Sequence, residues 1–311
     1  MLGLAISSAC AAQAYPSRPI RLIVPLAAGG TGDTLARVVG EEMARILGQP
    51  LVVENRPGSG GVIGIEAVAK SAPDGYTLLS NSPAQVIHPA LRPNVGYDAL
   101  KDFEPITVIA NTHQLILGHP SVPAANVKEL VAYAKRNPGK LNYGSAGSGS
   151  ATHLNMEMFK LMTGTFIVHI PYRGSTQSRQ DLVAGEVQLS VDGLLPTLPL
   201  IRAGKLRAFG LTSSRRSAAA PDIPTLAEAG VSGYASDTWY GMVAPRATPK
   251  DIVQTLHAAA VKAINAPGVR ERLIKQGAEP VGSSPEEFRK LIESELVMWT
   301  RVVKETGAKV D

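Results

Sequence analysis

The stretch from Arg21 to Gly48, RLIVPLAAGGTGDTLARVVGEEMARILG, most constrains the fold of this chain. The apolar run from Ile20 to Val24 is rich in β-branched residues, which predicts a buried strand. A glycine-rich turn follows Pro25, and apolar residues then recur at helical spacing, with Asp33 at the predicted N-cap. In such an arrangement a strand leads through a loop without bulky side chains into a helix. The first backbone N–H groups of the helix are then free, at the positive end of its dipole.

Neither of the two common nucleotide-binding motifs is complete in this stretch. Gly30 and Gly32 supply two glycines of the dinucleotide fingerprint, but Leu35 stands where the third is needed. A P-loop requires a Gly-Lys-Ser/Thr triplet, and the chain contains none. Two interpretations of the turn therefore remain open, an anion-binding site or a tight βα turn that binds nothing.

Composition narrows the class of protein. The chain has 311 residues, of which 44% are hydrophobic and 18% charged, which is typical of a folded globular protein long enough for two domains. Its net charge of +5 comes from scattered Lys and Arg without a basic stripe, so we expect no nucleic-acid partner. A positive surface mildly favours anionic ligands.

The first 14 residues, MLGLAISSACAAQA, carry no charge and end in a small-residue pattern. This predicts a secretory leader cleaved before Tyr15, and the missing positive start points to an initiator further upstream. Cys10, the only cysteine, lies in this leader. We therefore expect a mature chain without disulfides or thiolate chemistry.

Short β-rich runs alternate with helical patterns along the chain, which predicts an α/β fold with mixed, mostly parallel sheets flanked by helices. The arrangement of a strand, a polar glycine-rich loop and a helix start occurs a second time, around residues 141–164. Apolar strands near 116 and 237 predict two crossings between domains and hence a two-segment hinge. The expected first lobe comprises residues 15–116 and 238–311, and the second comprises 117–237.

The motifs of catalysis and metal binding are missing. Ser145, Ser148 and Ser150 all fail the G-x-S-x-G pattern of a nucleophile elbow. His153 and Glu157 lie one helical turn apart, but two ligands do not make a metal site. We expect no catalytic residue, no metal and no cofactor, and interpret His153 as an anion or pocket contact or as a structural residue of the first helical turn.

Four other residues allow two interpretations each. Arg173 follows a strand and could clamp a carboxylate, or could be a solvated surface residue. Asp192 ends a strand and could hold a ligand amine or hydroxyl, or cap the next turn. Trp239 and Tyr240 lie at the expected hinge, where core packing is the favoured role.

Several stretches together resemble one family. They are VPLAAGGTGDTLAR, ENRPGSGGVIGIEAVAKSAPDGYTLL, YDALKDFEPIT, GSAGSGSATHL, PYRGSTQS and PTLAEAGVSGYASDTWYGMVAP. In this order they are similar to the substrate-binding proteins of tripartite tricarboxylate transporters, the Bug or TctC-like family, from about Tyr15 to the C-terminus. The resemblance implies a periplasmic, two-lobed type II "Venus flytrap" fold that captures small carboxylates.

In that family a loop from each lobe holds a ligand carboxylate, partly through bridging waters. The residues that the resemblance assigns to the first loop are Ala27, Ala28, Gly29, Gly30, Thr31 and Asp33. Those of the second loop are Ser145, Ala146, Gly147, Ser148, Gly149, Ser150 and His153. The rest of the implied pocket consists of Ser82, Pro83, Ala84, Arg173, Gly174 and Asp192.

Three departures from the family pattern bear on the ligand. Leu26 replaces the usual Phe or Tyr, Ala28 replaces a frequent Pro, and residues 175–177, Ser-Thr-Gln, replace a more apolar stretch that contains Pro. Each could reshape the pocket, so the identity of the ligand does not transfer from a relative.

The expected function is therefore a monomeric periplasmic solute-binding protein, not an enzyme. It would deliver a dicarboxylate, tricarboxylate, aromatic acid or acidic amino acid to the membrane permease subunits of a tripartite tricarboxylate transporter. Two alternatives stay open. One is a secreted hydrolase or isomerase acting in the same cleft, and the other is a ligand-loaded partner of a sensor kinase ectodomain.

Overall fold

The computed structural model describes residues 15–26, 28–92, 94–172 and 174–308. The predicted leader therefore lies outside the described residues, as do two predicted site residues, Ala27 and Arg173. No helix within the described ranges is long and apolar enough to cross a lipid bilayer.

Two mixed sheets flanked by helices form the two lobes of the fold. In the first lobe the strand order is β11-β4-β10-β3-β1-β2. Its strands are β1 (Ile20–Val24), β2 (Leu51–Asn55), β3 (Thr77–Asn81), β4 (Phe103–Thr112), β10 (Thr238–Pro245) and β11 (Ala278–Pro280). Its helices are α1 (Thr31–Leu47), α2 (Val62–Ala69), α3 (Ala84–Leu91), α8 (Lys250–Asn265), α9 (Pro267–Lys275) and α10 (Pro285–Thr306), with a short 3₁₀ turn at Ser59–Gly61.

The second lobe contains a five-stranded sheet in the order β7-β6-β8-β5-β9. Its strands are β5 (Gln114–Gly118), β6 (Asn142–Ser145), β7 (Val168–Pro171), β8 (Leu189–Gly193) and β9 (Arg207–Leu211). Its helices are α4 (Val127–Arg136), α5 (Ala151–Thr163), α6 (Ser175–Ala184) and α7 (Leu194–Arg202).

The predicted βα unit at the start of the chain is confirmed, with one correction. β1 is buried at four of its five residues, and α1 ends at Gly48, whose left-handed φ of 68° suits glycine at a helix C-cap. The prediction of Asp33 as N-cap is wrong, because Gly30 occupies that position. Asp33 lies three residues inside the helix, where a carboxylate still interacts favourably with the helix dipole.

The mixed character of the sheets is confirmed, but the parallel share was overestimated. Among the described strands, four ladders are parallel and five are antiparallel. The antiparallel ladders involve β4, β5 and β10, which carry the chain between the lobes. A strand that connects the two lobes joins its new sheet without a crossover helix. It therefore runs antiparallel to the strands beside it.

The chain passes from the first sheet to the second through a single residue. β4 ends at Thr112 in the first sheet, and β5 begins at Gln114 in the second, so His113 alone separates them. The return passes through residues 212–237 to β10, where Thr238 is paired with Thr112. The predicted lobe boundaries at 116 and 237 stay a prediction.

Apolar side chains pack on both faces of each sheet. α1 and α8 cover one face of the first sheet through a cluster that includes Leu22, Val39 and Leu256. A second cluster, with Tyr143, Phe159 and Trp299, extends through both lobes, because α10 contacts α3 of the first lobe and α5 of the second. The long C-terminal helix therefore joins the two halves behind the hinge.

Candidate functional site

A cavity of about 360 Å³ lies where the two lobes meet. This volume is near the lower end of small-molecule pockets. The residues that line it come from both lobes and from the segment that joins them: Gly29, Gly30, Thr31, Thr112, His113, Gln114, Thr152, Ser175, Thr176, Arg179, Asp192, Gly193, Leu194, Leu195, Pro196, Tyr240, Gln276 and Gly277. Helices that follow parallel strands begin at this cavity, as expected for ligand sites in α/β folds.

The start of α1 reaches the cavity without a side-chain cap. Its N-cap, Gly30, has an extended backbone and no side chain to accept a hydrogen bond. The first intrahelical bond is donated by Thr34 to the Gly30 carbonyl, so the amides of Thr31, Gly32 and Asp33 precede the helical ladder. These N–H groups and the helix dipole favour an anion at this end of the cavity.

Asp33 holds the first loop in place from behind. Its carboxylate accepts hydrogen bonds from the Gly29 N–H at 2.9 Å, from Arg37 Nε at 3.0 Å and from Asn55 Nδ2 at 3.0 Å. Asn55 Nδ2 also donates to the Leu26 carbonyl at 3.0 Å. Burial by itself would raise the pKa of Asp33, but these donors outweigh it and keep that pKa below its usual value.

Tyr240 connects the start of α1 to the hinge strand. Its hydroxyl is hydrogen-bonded to the Thr31 side chain, while burial raises its pKa. A Cβ at Gly32 would lie 3.0 Å from Tyr240 Cε1, closer than ordinary packing. Glycine at position 32 therefore lets the tyrosine ring lie directly against the first turn of α1.

The second glycine-rich loop, residues 145–150, satisfies many of its own amides. Ala146 N–H donates to Thr152 Oγ1 at 2.8 Å, and Gly147 N–H donates to Ser145 Oγ at 3.1 Å. Gly149 N–H donates to His153 Nδ1 at 3.1 Å, and Ser150 caps α5 by accepting from His153 N–H at 3.2 Å. Serine, threonine and histidine side chains thus occupy backbone donors that a ligand would need.

A buried polar network supports this loop from below. The rings of His153 and His169 are stacked with centroids 4.0 Å apart, and His169 Nε2 lies 2.6 Å from Ser145 Oγ. Tyr143 Oη and Lys160 Nζ each donate to Glu157 Oε1 at 2.6 Å. Because His153 Nδ1 accepts a backbone hydrogen bond, its proton lies on Nε2 when the ring is neutral.

The start of α6 is a further helix end at the cavity, as is the start of α7, whose N-cap Gly193 also lines it. The N-cap of α6, Gly174, makes no side-chain cap, and Ser175 and Thr176 line the cavity. One turn further, Arg179 Nε and Nη2 donate to Asp192 Oδ2 and Oδ1 at 2.6 and 3.2 Å. Burial raises the pKa of Asp192, although Arg179 and the Gly193 N–H partly oppose this shift.

A bridge between the lobes is centred on His113. His113 Nε2 lies 2.7 Å from Glu279 Oε1 of β11, and His113 Nδ1 lies 3.0 Å from Ser213 Oγ. The other oxygen of Glu279 accepts from Arg215 Nη2 at 2.8 Å. Residues of the first lobe, the crossing segment and the second lobe therefore share one hydrogen-bonded chain beside the cavity.

Four predicted site residues line the cavity together, namely Gly29, Gly30 and Thr31 from the first loop and Asp192 from β8. Asp33 is buried behind the first loop, and the exposed Ala28 lies within that loop. Pro83 is the N-cap of α3, between Ser82 and Ala84, and this turn does not line the cavity. Among the described residues that line the cavity there is no predicted residue of the second loop, nor His153 or Gly174, although their chain neighbours Thr152 and Ser175 do line it.

Sequence reasoning missed several lining residues. Thr112, His113 and Gln114 interrupt an apolar run, and this polar interruption between two strands was the signal that could have revealed them. Arg179 gave no signal of its own, because the sequence around it is polar throughout and resembles a solvated helix. Within the described ranges, no group of three or more His, Cys, Asp or Glu side chains could hold a metal ion.

Comparison with known proteins places the chain in a family. Residues 35–308 match the family described as "Tripartite tricarboxylate transporter family receptor", TctC. The chain is 38% identical over 307 residues to Protein BugT of Bordetella pertussis, a match that covers 98% of this chain and 94% of BugT.

Solved structures agree with this assignment. One described as "Structure of a periplasmic transporter" is 44% identical with a TM-score of 0.84, and the match covers 96% of this chain and 100% of that one. Rpa4515 of R. palustris, solved with adipate, is 37% identical with a TM-score of 0.83 over 96% of this chain and 100% of its own. The chain therefore belongs to the Bug/TctC family of solute-binding proteins.

Proposed function

We propose that this protein captures a small organic carboxylate in the cavity between its lobes, in the periplasm, and delivers it to the membrane permease subunits of a tripartite tricarboxylate transporter. One observation carries the proposal. The uncapped start of α1 reaches a cavity that both lobes line, with Thr31 and Gly30 at its wall. Free amides at a helix N-terminus bind carboxylates without any covalent chemistry.

The family relationship supports the ligand class. Rpa4515, a relative of similar length and fold, was solved with adipate, which carries a carboxylate at each end. The cavity of this chain offers hydroxyl, amide and glycine backbone groups beside Leu194, Leu195 and Pro196, a mixture that suits a small acid with an aliphatic chain.

Affinity requires more than helix dipoles. Each helix end contributes about 0.3–1 kcal/mol, whereas micromolar binding requires about 8 kcal/mol. Several charge-assisted hydrogen bonds of about 1.5–3 kcal/mol each must supply the rest. Because the donors come from both lobes, the ligand would favour the closed arrangement, and closure would give the transporter a shape to recognise.

The geometry supports binding rather than turnover. Two side chains that line the cavity could transfer a proton, Asp192 and His113. Asp192 already accepts from Arg179, and both ring nitrogens of His113 are hydrogen-bonded, one to Glu279 and one to Ser213. His153, next to the lining residue Thr152, accepts from the Gly149 N–H. A general base must instead reach a substrate proton. If the protein were a hydrolase or isomerase, a bound acid would be converted, and Asp192→Asn would abolish the conversion.

Thermal-shift screening followed by calorimetry tests the proposal on the purified protein. The panel contains dicarboxylates, tricarboxylates, aromatic acids and acidic amino acids, each paired with its neutral amide. We expect at least one acid to raise the melting temperature and to bind with 1:1 stoichiometry, while its amide does neither. If no acid binds, or if amides bind equally well, the proposed function is wrong.

A further inference from the structure

Arg179 is the one cationic side chain, Lys or Arg, among the described residues that line the cavity. It lies one turn into α6, and helical side chains lean towards the N-terminus of their helix. Ser175 and Thr176, one turn before it in α6, line the same cavity. About 20% of the Arg179 side chain is exposed, against 4% for Asp192.

The ion pair uses only one edge of the guanidinium. Nε and Nη2 of Arg179 donate to the two oxygens of Asp192, which is a side-on bidentate arrangement. An arginine has five N–H donors, so two N–H groups on Nη1 and one on Nη2 remain. No described residue accepts a hydrogen bond from these three donors.

Asp192 orients the Arg179 guanidinium and does not itself bind a ligand. Its Oδ2 accepts from Arg179 Nε, and its Oδ1 accepts from Arg179 Nη2 and from the Gly193 N–H at 2.7 Å. Both carboxylate oxygens are thus engaged. The carboxylate holds the guanidinium in one orientation, so a second bidentate partner would bind with less loss of side-chain entropy.

We propose that the free edge of Arg179 binds the second acidic group of a ligand whose first carboxylate lies at the start of α1. This inference rests on the proposed function and specifies which acids the protein prefers. The protein would select dicarboxylates over monocarboxylates of the same length. The uncapped start of α6 reaches the cavity beside Arg179 and adds positive potential at the same end.

Calorimetry with isosteric probes tests this selection. Succinate, glutarate and adipate are each compared with their monoamide, which keeps the length and one carboxylate. The proteins are wild type, Arg179→Gln, Arg179→Gln/Asp192→Asn and the control Arg136→Gln, an exposed position on α4. The double variant removes both charges together, so it avoids leaving a buried carboxylate unpaired.

For wild type and Arg136→Gln we expect the best dicarboxylate to bind at least about 10-fold more tightly than its monoamide. In both Arg179 variants the ratio of dicarboxylate affinity to monoamide affinity should fall below about 3. The monoamide affinity itself should stay within about 3-fold of wild type. An unchanged ratio in the double variant, or equal binding of acid and monoamide by wild type, would overturn the role of Arg179 and leave the proposed function intact. If none of these dicarboxylates bound wild type while another acid of the wider panel did, this inference would fail and the proposed function would stand. If no acid of either set bound, both would fail.

Discussion

The starts of α1 and α5 look alike in sequence but differ in what they offer a ligand. Both follow a strand and a glycine-rich loop, one in each lobe. The α1 start has glycine at its N-cap and no side-chain cap, whereas Ser150 caps α5 and the loop before it donates amides to Ser145, Thr152 and His153. Small side chains without acceptors leave a helix start available, and hydroxyls in the same position satisfy it internally.

The largest effect on binding is expected from adding a cap to α1. Gly30 has φ −76° and ψ 169°, a conformation that suits any N-cap residue. Gly30→Asp should raise the stability of the free protein by about 0.3 kcal/mol, because its carboxylate accepts from amides of the first turn but glycine is itself a fair N-cap residue. The same carboxylate should reduce acid affinity at least about 100-fold, through lost hydrogen bonds and charge repulsion.

Gly30→Asn is the matched control for this change. It caps the helix without a charge, so we expect similar stabilisation but a smaller loss of acid affinity, of about 10-fold. Thermal unfolding and calorimetry measure both effects. If Gly30→Asp bound acids as tightly as wild type, the amides of α1 would not hold the ligand.

A smaller loss is expected from Asp33→Ala, which releases the first loop. The variant removes the acceptor for the Gly29 N–H, Arg37 and Asn55. We expect about 1–3 kcal/mol lower stability, because these donors lose their partner, and about 10-fold weaker acid binding, because the loop is no longer held. Denaturant unfolding with calorimetry checks this, and unchanged affinity in a folded variant would show that the loop needs no such support.

Removing the cap of α5 should affect stability and leave binding nearly unchanged. Ser150→Ala loses the acceptor for His153 N–H and the hydrogen bond to the Gly147 carbonyl, at a cost of about 0.5–2 kcal/mol. Acid affinity should stay within about 3-fold of wild type. Ser284→Ala, at the capping box of α10, is a matched control with a similar stability loss. A large loss of affinity in Ser150→Ala alone would mean that the second loop binds the ligand directly.

Glu295 of α10 does not line the cavity and should change only the pH dependence of stability. Burial beside Trp239 and Trp299 raises the pKa of this carboxyl to about 7. Since the unfolded chain releases this proton near pH 4.5, stability should fall as pH rises from about 4.5 to 7, by at most about 3 kcal/mol.

Glu295→Gln should therefore raise the melting temperature by a few degrees at pH 8 and leave it unchanged at pH 4.5. The exposed Glu293→Gln on the same helix should show no such difference. Equal melting temperatures of Glu295→Gln and wild type at pH 8 would show that the buried carboxylate carries no penalty. Acid affinity should not change in either variant.

Much of the fold could be predicted from the sequence, because strong patterns marked it. The run from Ile20 to Val24 and the glycine at 48 bound a strand and a helix that the structure confirms. α3 and α7 were missed because Pro89 and Pro199 lie inside them and neither has a side-chain cap to mark its start. β11 has three residues and pairs with residues of β4 that lie more than 160 positions earlier in the chain, which no local pattern reveals.

The site was less predictable than the fold. Glycines at the start of α1 were visible because a turn of this kind requires them. The pairing of Arg179 with Asp192 was not, since it depends on how α6 packs against β8. The hydrogen bonds from the second loop to its own hydroxyls could not be predicted either. A serine-rich loop has the same sequence whether its side chains face a ligand or its own backbone.

A crystal structure of the protein with its tightest-binding acid tests the central claim most directly. We predict that a carboxylate of the acid lies in the cavity between the lobes, with its oxygens about 2.7–3.2 Å from the amide nitrogens of Thr31 and Gly32. An acid bound in the cavity with these amides left to solvent, or bound outside the cavity altogether, would contradict the account.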